Sequence, residues 1–252
     1  MDICIIGSGN MARQLLPALQ RSGLVVSGLH GRNHETAAAL SAQYQVPLIA
    51  QLKDINSAVA ILCVSDDAIA GMAAEMGNFK GLVIHTSGSV PSTILSAFTN
   101  YGVLYPVQTM TKQGRVNFEK VPLCITGSDA STLDTLSTIA GLVSQQVYTM
   151  DDEQRKKVHL AAVMTNNFIN HLVVVAKDYL LENQLDYEII VPLLRTTMEK
   201  LTQAPYNFQQ TGPAARNDEG VINSHLELLK SKPELHKLYE SITESIQGHA
   251  HH

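Results

Sequence analysis

Short apolar runs alternate with longer amphipathic segments over the first 150 residues of the chain. Runs such as 58–64 are apolar at almost every position, which is typical of parallel strands covered on both faces. The pattern predicts strands over 2–6, 24–30, 46–49, 58–64, 81–85, 102–106, 121–126 and 145–149, with helical segments between most of them. This alternation favours an α/β fold with a doubly wound sheet of about eight strands.

The strand pattern stops at Asp151, and helical periodicity follows. Apolar or small side chains recur every three or four residues over 153–182, and further helical segments follow Asp186, Asp218 and Pro233. The sequence therefore predicts an α/β domain over 1–150 and an all-α domain over 151–248. We interpret 249–252, which contains three histidines, as a flexible tail rather than a metal site.

The first predicted strand leads directly into a glycine-rich turn, Gly7-x-Gly9-x-x-Ala12. Gly7 permits the tight turn, Gly9 lets a ligand approach the backbone, and the following helix offers free N–H groups to phosphates. This is the Rossmann dinucleotide fingerprint, and it makes the turn a candidate cofactor site, formed by Gly7, Ser8, Gly9, Asn10 and Met11.

The end of the second strand indicates which dinucleotide binds. NAD-specific sites usually place an acidic residue about 20 positions after the fingerprint, whereas this chain has Arg32 and Asn33 there. No acidic residue occurs between Gly23 and His34. A guanidinium suits the 2′-phosphate of NADP(H), which is therefore the expected cofactor. The alternative is a solvated loop arginine.

Composition and charge argue against several classes of binding partner. The formal net charge is −5, and no dense Lys/Arg block indicates binding of nucleic acid or of an anionic membrane. No uninterrupted apolar run approaches the roughly 18 residues of a membrane span, and the chain begins directly with a strand, so we expect a cytoplasmic protein. Each of the three cysteines lies within an apolar run, which predicts reduced core residues, and no metal site is predicted.

Three strand ends carry polar candidates. Ligands of open α/β sheets bind beyond the carboxyl ends of the strands, so these loops should line the nicotinamide end of the cofactor. We expect Val64, Ser65, His85 and Ser87 to contact the cofactor and Gln108 to contact the substrate. For Ser87 the alternative is a purely local role in a turn.

The predicted helix over 153–182 carries a polar stripe of His159, Asn166 and Asn170. In a regular helix these offsets place the three side chains within roughly 40° of one another. Histidine titrates near neutrality and can protonate a carbonyl or imine, so His159 and Asn166 are the candidate catalytic residues and Asn170 a substrate contact. The alternative is hydrogen bonding between helices or across a dimer interface.

A second polar cluster lies near a Thr-Gly-Pro turn. Thr211, Arg216 and His225 are candidate substrate contacts, with Arg216 suited to a carboxylate. Alternatively, Arg216 pairs with Asp218 to brace the loop and His225 lies in the core. Asp218 itself is expected to cap a helix.

The whole pattern resembles a known group of proteins. The segments that carry the resemblance are 7–12, 31–33, 85–89, 105–109, 159–168 and 211–226. They are similar to pyrroline-5-carboxylate reductase, the β-hydroxyacid dehydrogenases and the deazaflavin-dependent NADP oxidoreductases. More specifically, the chain resembles Rossmann-like NADP oxidoreductases with a helical C-terminal domain of unknown function 2520. The chain lacks the Lys-x-x-x-Asn signature of the β-hydroxyacid dehydrogenases, because Ala161 follows Lys157 by four residues.

The resemblance implies a C-terminal domain like that of 6-phosphogluconate dehydrogenase and an NADP-dependent oxidoreductase acting on a small polar carbonyl, imine or hydroxy compound. Two alternatives remain, namely hydride transfer between NADP and deazaflavin and an NADP(H)-binding sensor without turnover. The helical domain also presents more amphipathic faces than it can cover alone, so we expect a homodimer formed through this domain.

Overall fold

Seven strands form one sheet in the computed structural model, which describes residues 1–203 and 209–249. The strands are β1 (Asp2–Ile6), β2 (Val25–His30), β3 (Val59–Leu62), β4 (Leu82–His85), β5 (Tyr101–Pro106), β6 (Leu123–Gly127) and β7 (Val147–Thr149). Their order is β2-β1-β3-β4-β5-β6-β7, and all neighbours are parallel except β5 and β6. The doubly wound Rossmann-like sheet that the alternating pattern predicts is confirmed.

The segment 46–49 differs from its predicted strand. It forms only an isolated bridge between Leu48 and Leu29 at the edge of β2. Pro47 accepts a hydrogen bond from the N–H of Leu29 but has no N–H of its own, so it cannot donate to an extended ladder. The sheet therefore has seven strands within the described residues, rather than about eight.

Helices cover both faces of this sheet. They are α1 (Asn10–Arg21), α2 (His34–Tyr44), α3 (Ile69–Glu75) and α4 (Ala130–Val143). Along β1, Ile3 and Ile5 pack into the cluster that contains α1 and α4, whereas Cys4 and Ile6 pack into the cluster that contains α3. This alternation between two apolar layers explains why the central strands are apolar at almost every position.

The three cysteines are buried and unpaired. Burial raises the pKa of the Cys4 and Cys63 thiols to about 12, so both remain protonated and unreactive at neutral pH. This confirms their expected place in the core.

A 31-residue helix runs from Asp152 to Glu182. It comprises α5 (Asp152–Ala162), a π-helical segment (Val163–Phe168) and α6 (Ile169–Glu182). Asp151 and Gln154 begin it with a reciprocal capping box. By length and composition alone, this helix could cross a membrane, although polar residues interrupt every long apolar run within it.

The chain divides into two compact units, Met1–Val173 and Val174–His252. The second unit contains the end of α6 together with α7 (Val191–Thr202), α8 (Glu219–Leu228) and α9 (Pro233–His249). Asp218 caps α8 as expected, with its carboxylate accepting the Val221 N–H at 3.3 Å. The helical character of the C-terminal part is confirmed. Of the predicted tail, His249 ends α9, and positions 250–252 lie outside the described residues.

Candidate active site

A pocket of about 260 Å³ lies beyond the carboxyl ends of β1 and β3. The strand order reverses at β1, which pairs with β2 on one side and β3 on the other, and this switch point is where doubly wound sheets bind ligands. The pocket is lined by Gly7, Ser8, Gly9, Arg32, Asn33, Cys63, Val64, Ser65 and Met72. The structure therefore brings together seven of the eleven residues that the sequence predicts to contact the cofactor.

The two fingerprint glycines shape this pocket in different ways. Gly7 has a φ of 125°, and a Cβ at this position would lie 2.2 Å from the carbonyl oxygen of Cys63. Gly9 is the N-cap of α1, and a Cβ there would meet no atom within 4 Å. The first turn of α1 thus faces open space with free N–H groups, which fits a dinucleotide pyrophosphate.

Arg32 and Asn33 form another wall of the pocket. Arg32 is exposed and forms no ion pair with any described residue, so its guanidinium is available to an anion. Asn33 caps α2 by accepting the Thr36 N–H at 2.9 Å. The Ser8 hydroxyl lies 2.7 Å from that of Thr36, which fastens the fingerprint turn to the same helix.

The side chains of Asn10 and Met11 contact the rest of the domain and not the pocket. The Asn10 amide donates to the carbonyl of Met110 at 2.9 Å, and Met11 packs against the core. Neither side chain lines the pocket of about 260 Å³. Their side chains therefore hold α1 in place and leave only backbone groups for a ligand.

The loop after β4 is buried. The His85 side chain has no exposed surface, and its Nδ1 accepts the Ser87 N–H at 3.2 Å. Burial, together with the nearby Arg155 guanidinium, lowers the pKa of His85 to about 4, so its ring is neutral at pH 7. The Ser87 hydroxyl accepts the N–H groups of Ser89 and Val90 at 3.1 and 3.0 Å, which is the local turn role considered above.

His159 pairs with Tyr105, which the sequence did not single out as a site residue. The Tyr105 hydroxyl lies 3.0 Å from Nδ1 of His159, and the two rings meet edge to face at 5.7 Å. Gly88 permits this contact, because a Cβ there would lie 2.7 Å from both rings. Nε2 of His159 has no hydrogen-bond partner among the described residues, and the residue is partly exposed.

Burial raises the pKa of Tyr105, with a smaller contribution from Cys124. The phenol therefore stays protonated at neutral pH and can either donate to Nδ1 or accept from it. In both cases the pair leaves Nε2 as the nitrogen that can exchange a proton with a ligand.

Arg155 fixes α5 against the sheet, one helical turn before His159. Its side chain is fully buried, donates to the Val90 carbonyl at 2.6 Å and the Thr126 hydroxyl at 2.8 Å, and forms an ion pair with Asp152. Although burial opposes it, the hydrogen bonds from Arg155 and Ser92 hold the pKa of Asp152 below its usual value of 3.8. In the sequence, the sign of this anchor is an arginine four residues before His159, and therefore one helical turn away on the same face of α5.

Two further stripe residues face different surroundings. The Asn166 amide donates to the Thr109 hydroxyl at 2.8 Å, just beyond β5, whereas Asn170 is exposed and makes no hydrogen bond to a described residue. The oxygen of Gln108 accepts the Thr109 N–H at 2.8 Å. Asn166 lies within the π-helical segment, whose extra residue per turn shifts the stripe from the regular spacing assumed above.

The remaining predicted contacts belong to the second unit. His225 lies 2.8 Å from the Tyr239 hydroxyl, between α8 and α9. Arg216 is exposed and, within the described part of the chain, has no acidic partner, so the alternative pairing with Asp218 does not form. Thr211 is exposed in the loop before α8.

Two family models match the chain. Residues 2–111 match the family described as NADP oxidoreductase, coenzyme F420-dependent, and residues 121–246 match the domain of unknown function DUF2520. The second match spans half of the chain. The protein belongs to the DUF2520 family of NADP oxidoreductases. The predicted family and the predicted cofactor, NADP(H), are thereby confirmed.

Solved structures agree with this assignment. The oxidoreductase is 35% identical to putative NADP oxidoreductase BF3122 from Bacteroides fragilis, with 98% of each chain covered and a TM-score of 0.89. Protein TM1727 from Thermotoga maritima shares 20% identity over 99% of this chain and 100% of its own, with a TM-score of 0.82. A reductive aminase from Aspergillus terreus, solved with NADPH and ethyl levulinate, shares 14% identity over 98% and 95% of the chains, with a TM-score of 0.71. The last two similarities show the fold alone. No curated protein sequence matches the chain.

Proposed function

We propose that this oxidoreductase interconverts a small polar carbonyl or imine compound and its reduced form, with His159 as the proton donor. The observation that carries the proposal is the His159–Tyr105 pair beside the carboxyl end of β5, in which Nε2 is left without a partner among the described residues. NADPH, when bound, supplies the hydride for this reaction.

The cofactor residues are proposed from the pocket at the switch point. Backbone N–H groups around Gly7 and Gly9 would hold the pyrophosphate, and the dipole of α1 adds to their attraction. Arg32 would bind the 2′-phosphate through charge-assisted hydrogen bonds. Val64 and Ser65 line the same pocket, whereas His85 and Ser87 are buried in the loop after β4 and are kept as proposed cofactor contacts.

The proton would be held at Nε2 of His159. When the imidazole is protonated, its Nδ1–H donates to the Tyr105 hydroxyl and its Nε2–H is left to the substrate. Loss of the Nε2 proton then yields a neutral imidazole that keeps the same hydrogen bond at Nδ1. Because Tyr105 stays neutral, it orients the ring through both states without adding a charge. We assign the orientation of the substrate to the Asn166 amide, which donates to the Thr109 hydroxyl just beyond β5.

Within the first unit, we assign substrate recognition to Gln108 and Asn170. Asn170 is exposed and makes no hydrogen bond to a described residue, so its amide is available to a ligand. The substrate contacts that the sequence predicts at Thr211, Arg216 and His225, in the second unit, remain predictions; the exposed guanidinium of Arg216 suits a carboxylate.

A homodimer through the helical domain is part of the proposal. The large apolar side chains that remain exposed along the C-terminal helices include Leu160, Met164, Phe168, Leu181, Leu185, Ile189, Leu193 and Leu228. So many exposed large apolar side chains are unusual on a monomer, and a second copy of the chain would cover them. A second copy of the chain would also cover the exposed apolar side chains of the helix Asp152–Glu182, so no membrane is needed to cover them. We therefore propose a cytoplasmic protein that binds neither membrane nor nucleic acid.

Hydride transfer between NADP and coenzyme F420 is the second candidate, because the family matched by residues 2–111 is described as F420-dependent. A third reading is an NADP(H) sensor. Two assays together separate the reductase, the carrier and the sensor. The first measures NADPH oxidation with small aldehydes, ketones, 2-oxo acids and cyclic imines, and the second measures NADP⁺ reduction with reduced F420. We expect turnover with a member of the first panel. Turnover with reduced F420 alone would favour the carrier, and tight NADPH binding without any turnover would favour the sensor.

A further inference from the structure

A second pocket, of about 270 Å³, lies on the outer side of α1, away from the cofactor pocket. Its walls come from α1, from α2 and from the β5–β6 loop, over residues 112–116. The two pockets share no lining residue. The cofactor pocket adjoins the first turn of α1, whereas this pocket runs along the rest of the helix towards its C-terminal end.

Four cationic side chains line this pocket, and no acidic residue does. Arg13 and Arg21 lie two turns apart on α1, and Lys112 and Arg115 come from the loop. In a chain with only 18 Lys and Arg residues and a net charge of −5, this is a strong local excess of positive charge. None of the four forms an ion pair or a side-chain hydrogen bond with any described residue.

The loop that carries two of these cations is fixed to the helix that carries the other two. The buried amide of Gln14 donates to the carbonyls of Thr111 and Gly114 at 3.0 Å, and its oxygen accepts the Val116 N–H at 3.1 Å. The fold thus holds four like charges around one cavity although they repel one another. A favourable helix-dipole contact explains Arg21 at the end of α1, but it does not explain the other three.

We propose that this pocket binds a small molecule bearing a diphosphate or two phosphate groups, at a site separate from the cofactor. Arginine presents a planar fork that matches phosphate oxygens, and Lys112 adds a point charge. Pro17, Leu40 and Tyr44 also line the pocket and suit a small apolar or aromatic body attached to the phosphates. The volume of about 270 Å³ lies just below the usual range for ligand pockets, which limits the ligand to a compact molecule.

The test is calorimetric titration of the full chain with inorganic pyrophosphate, with NADPH present at saturation so that the cofactor pocket is filled. We expect one pyrophosphate site per chain. The double variant Arg21→Gln/Arg115→Gln should weaken its affinity by about tenfold or more, since each lost contact is a charge-assisted hydrogen bond. The variant Arg21→Lys/Arg115→Lys keeps the charge and should bind more tightly than the glutamine variant.

The matched control is Lys53→Gln/Lys80→Gln, which removes two exposed, unpaired cations elsewhere in the same unit. It should leave pyrophosphate affinity within about twofold of the unmodified chain. NADPH affinity should be unchanged in both glutamine variants. The proposal is overturned if NADPH saturation abolishes pyrophosphate binding or if the two glutamine variants lose affinity equally.

Discussion

Among single residues, the clustering of the candidate cofactor residues in one pocket was predictable, because the signals for it are local. Gly7 occupies a position where a Cβ would collide with the Cys63 carbonyl, Gly9 leaves open space beside the first turn of α1, and both lie within one short segment. The partner of His159 was not predictable in the same way. Tyr105 is 54 positions away along the chain, and only the packing of α5 on the sheet brings the two side chains together.

We predict that Arg32 sets the preference for NADPH over NADH. We expect NADPH to bind more tightly than NADH, because the Arg32 guanidinium would contact the 2′-phosphate. A charged hydrogen bond is worth roughly 1.5–3 kcal/mol, so Arg32→Ala should remove a preference of about tenfold to hundredfold. Fluorescence titration of both cofactors measures this preference, and Lys53→Ala is the control for the loss of an exposed charge. Equal affinities of the unmodified protein for NADPH and NADH would contradict the assignment.

At the scale of elements, the periodic pattern predicted which segments form helices and strands, but not their irregularities. Pro47 ended a predicted strand because it lacks an N–H to donate. The π-helical segment over 163–168 has no periodic signature, since its sequence reads as ordinary helix. Such segments frequently occur at functional sites, and here the segment carries Asn166.

We predict that Arg155 anchors α5 to the sheet. Arg155→Met removes the fully buried partner of the Arg155–Asp152 ion pair and leaves the Val90 carbonyl without its donor. We expect it to lower the free energy of unfolding by about 3 kcal/mol or more. Lys156→Met is the matched control, because Lys156 forms only an exposed pair with Glu153, and it should cost less than about 1 kcal/mol. Chemical denaturation compares the two, and equal losses would show that Arg155 does not anchor the helix.

In the whole molecule, the C-terminal helices leave large apolar side chains exposed, which we propose that a second copy of the chain covers. The sequence predicted the helices and the excess of apolar faces, since both follow from periodicity. It could not specify which side chains remain exposed, because this depends on how the helices pack. Ile189 and Leu193 are 70% and 69% exposed and are the clearest candidates for the interface.

Light scattering at high micromolar concentration tests the dimer. We expect the unmodified chain to be a dimer and Ile189→Glu/Leu193→Glu to be a monomer, because buried carboxylates without partners are costly. Leu142→Glu is the control, since Leu142 is an exposed apolar residue on α4 in the other unit. A dimer that survives the double substitution would place the interface elsewhere, and a monomeric unmodified chain would exclude it.

We propose that His159 delivers the proton of an NADPH-dependent reduction. The most direct measurement is NADPH oxidation by the unmodified protein and by His159→Gln, with the best compound of the carbonyl and imine panel, alongside the NADPH dissociation constant of each. We expect the turnover of His159→Gln to be about 10²–10⁴-fold lower, as for the loss of a general acid. NADPH affinity should stay unchanged, because the pocket of Gly7, Gly9 and Arg32 does not include His159. Undiminished turnover in a folded His159→Gln variant would contradict the account.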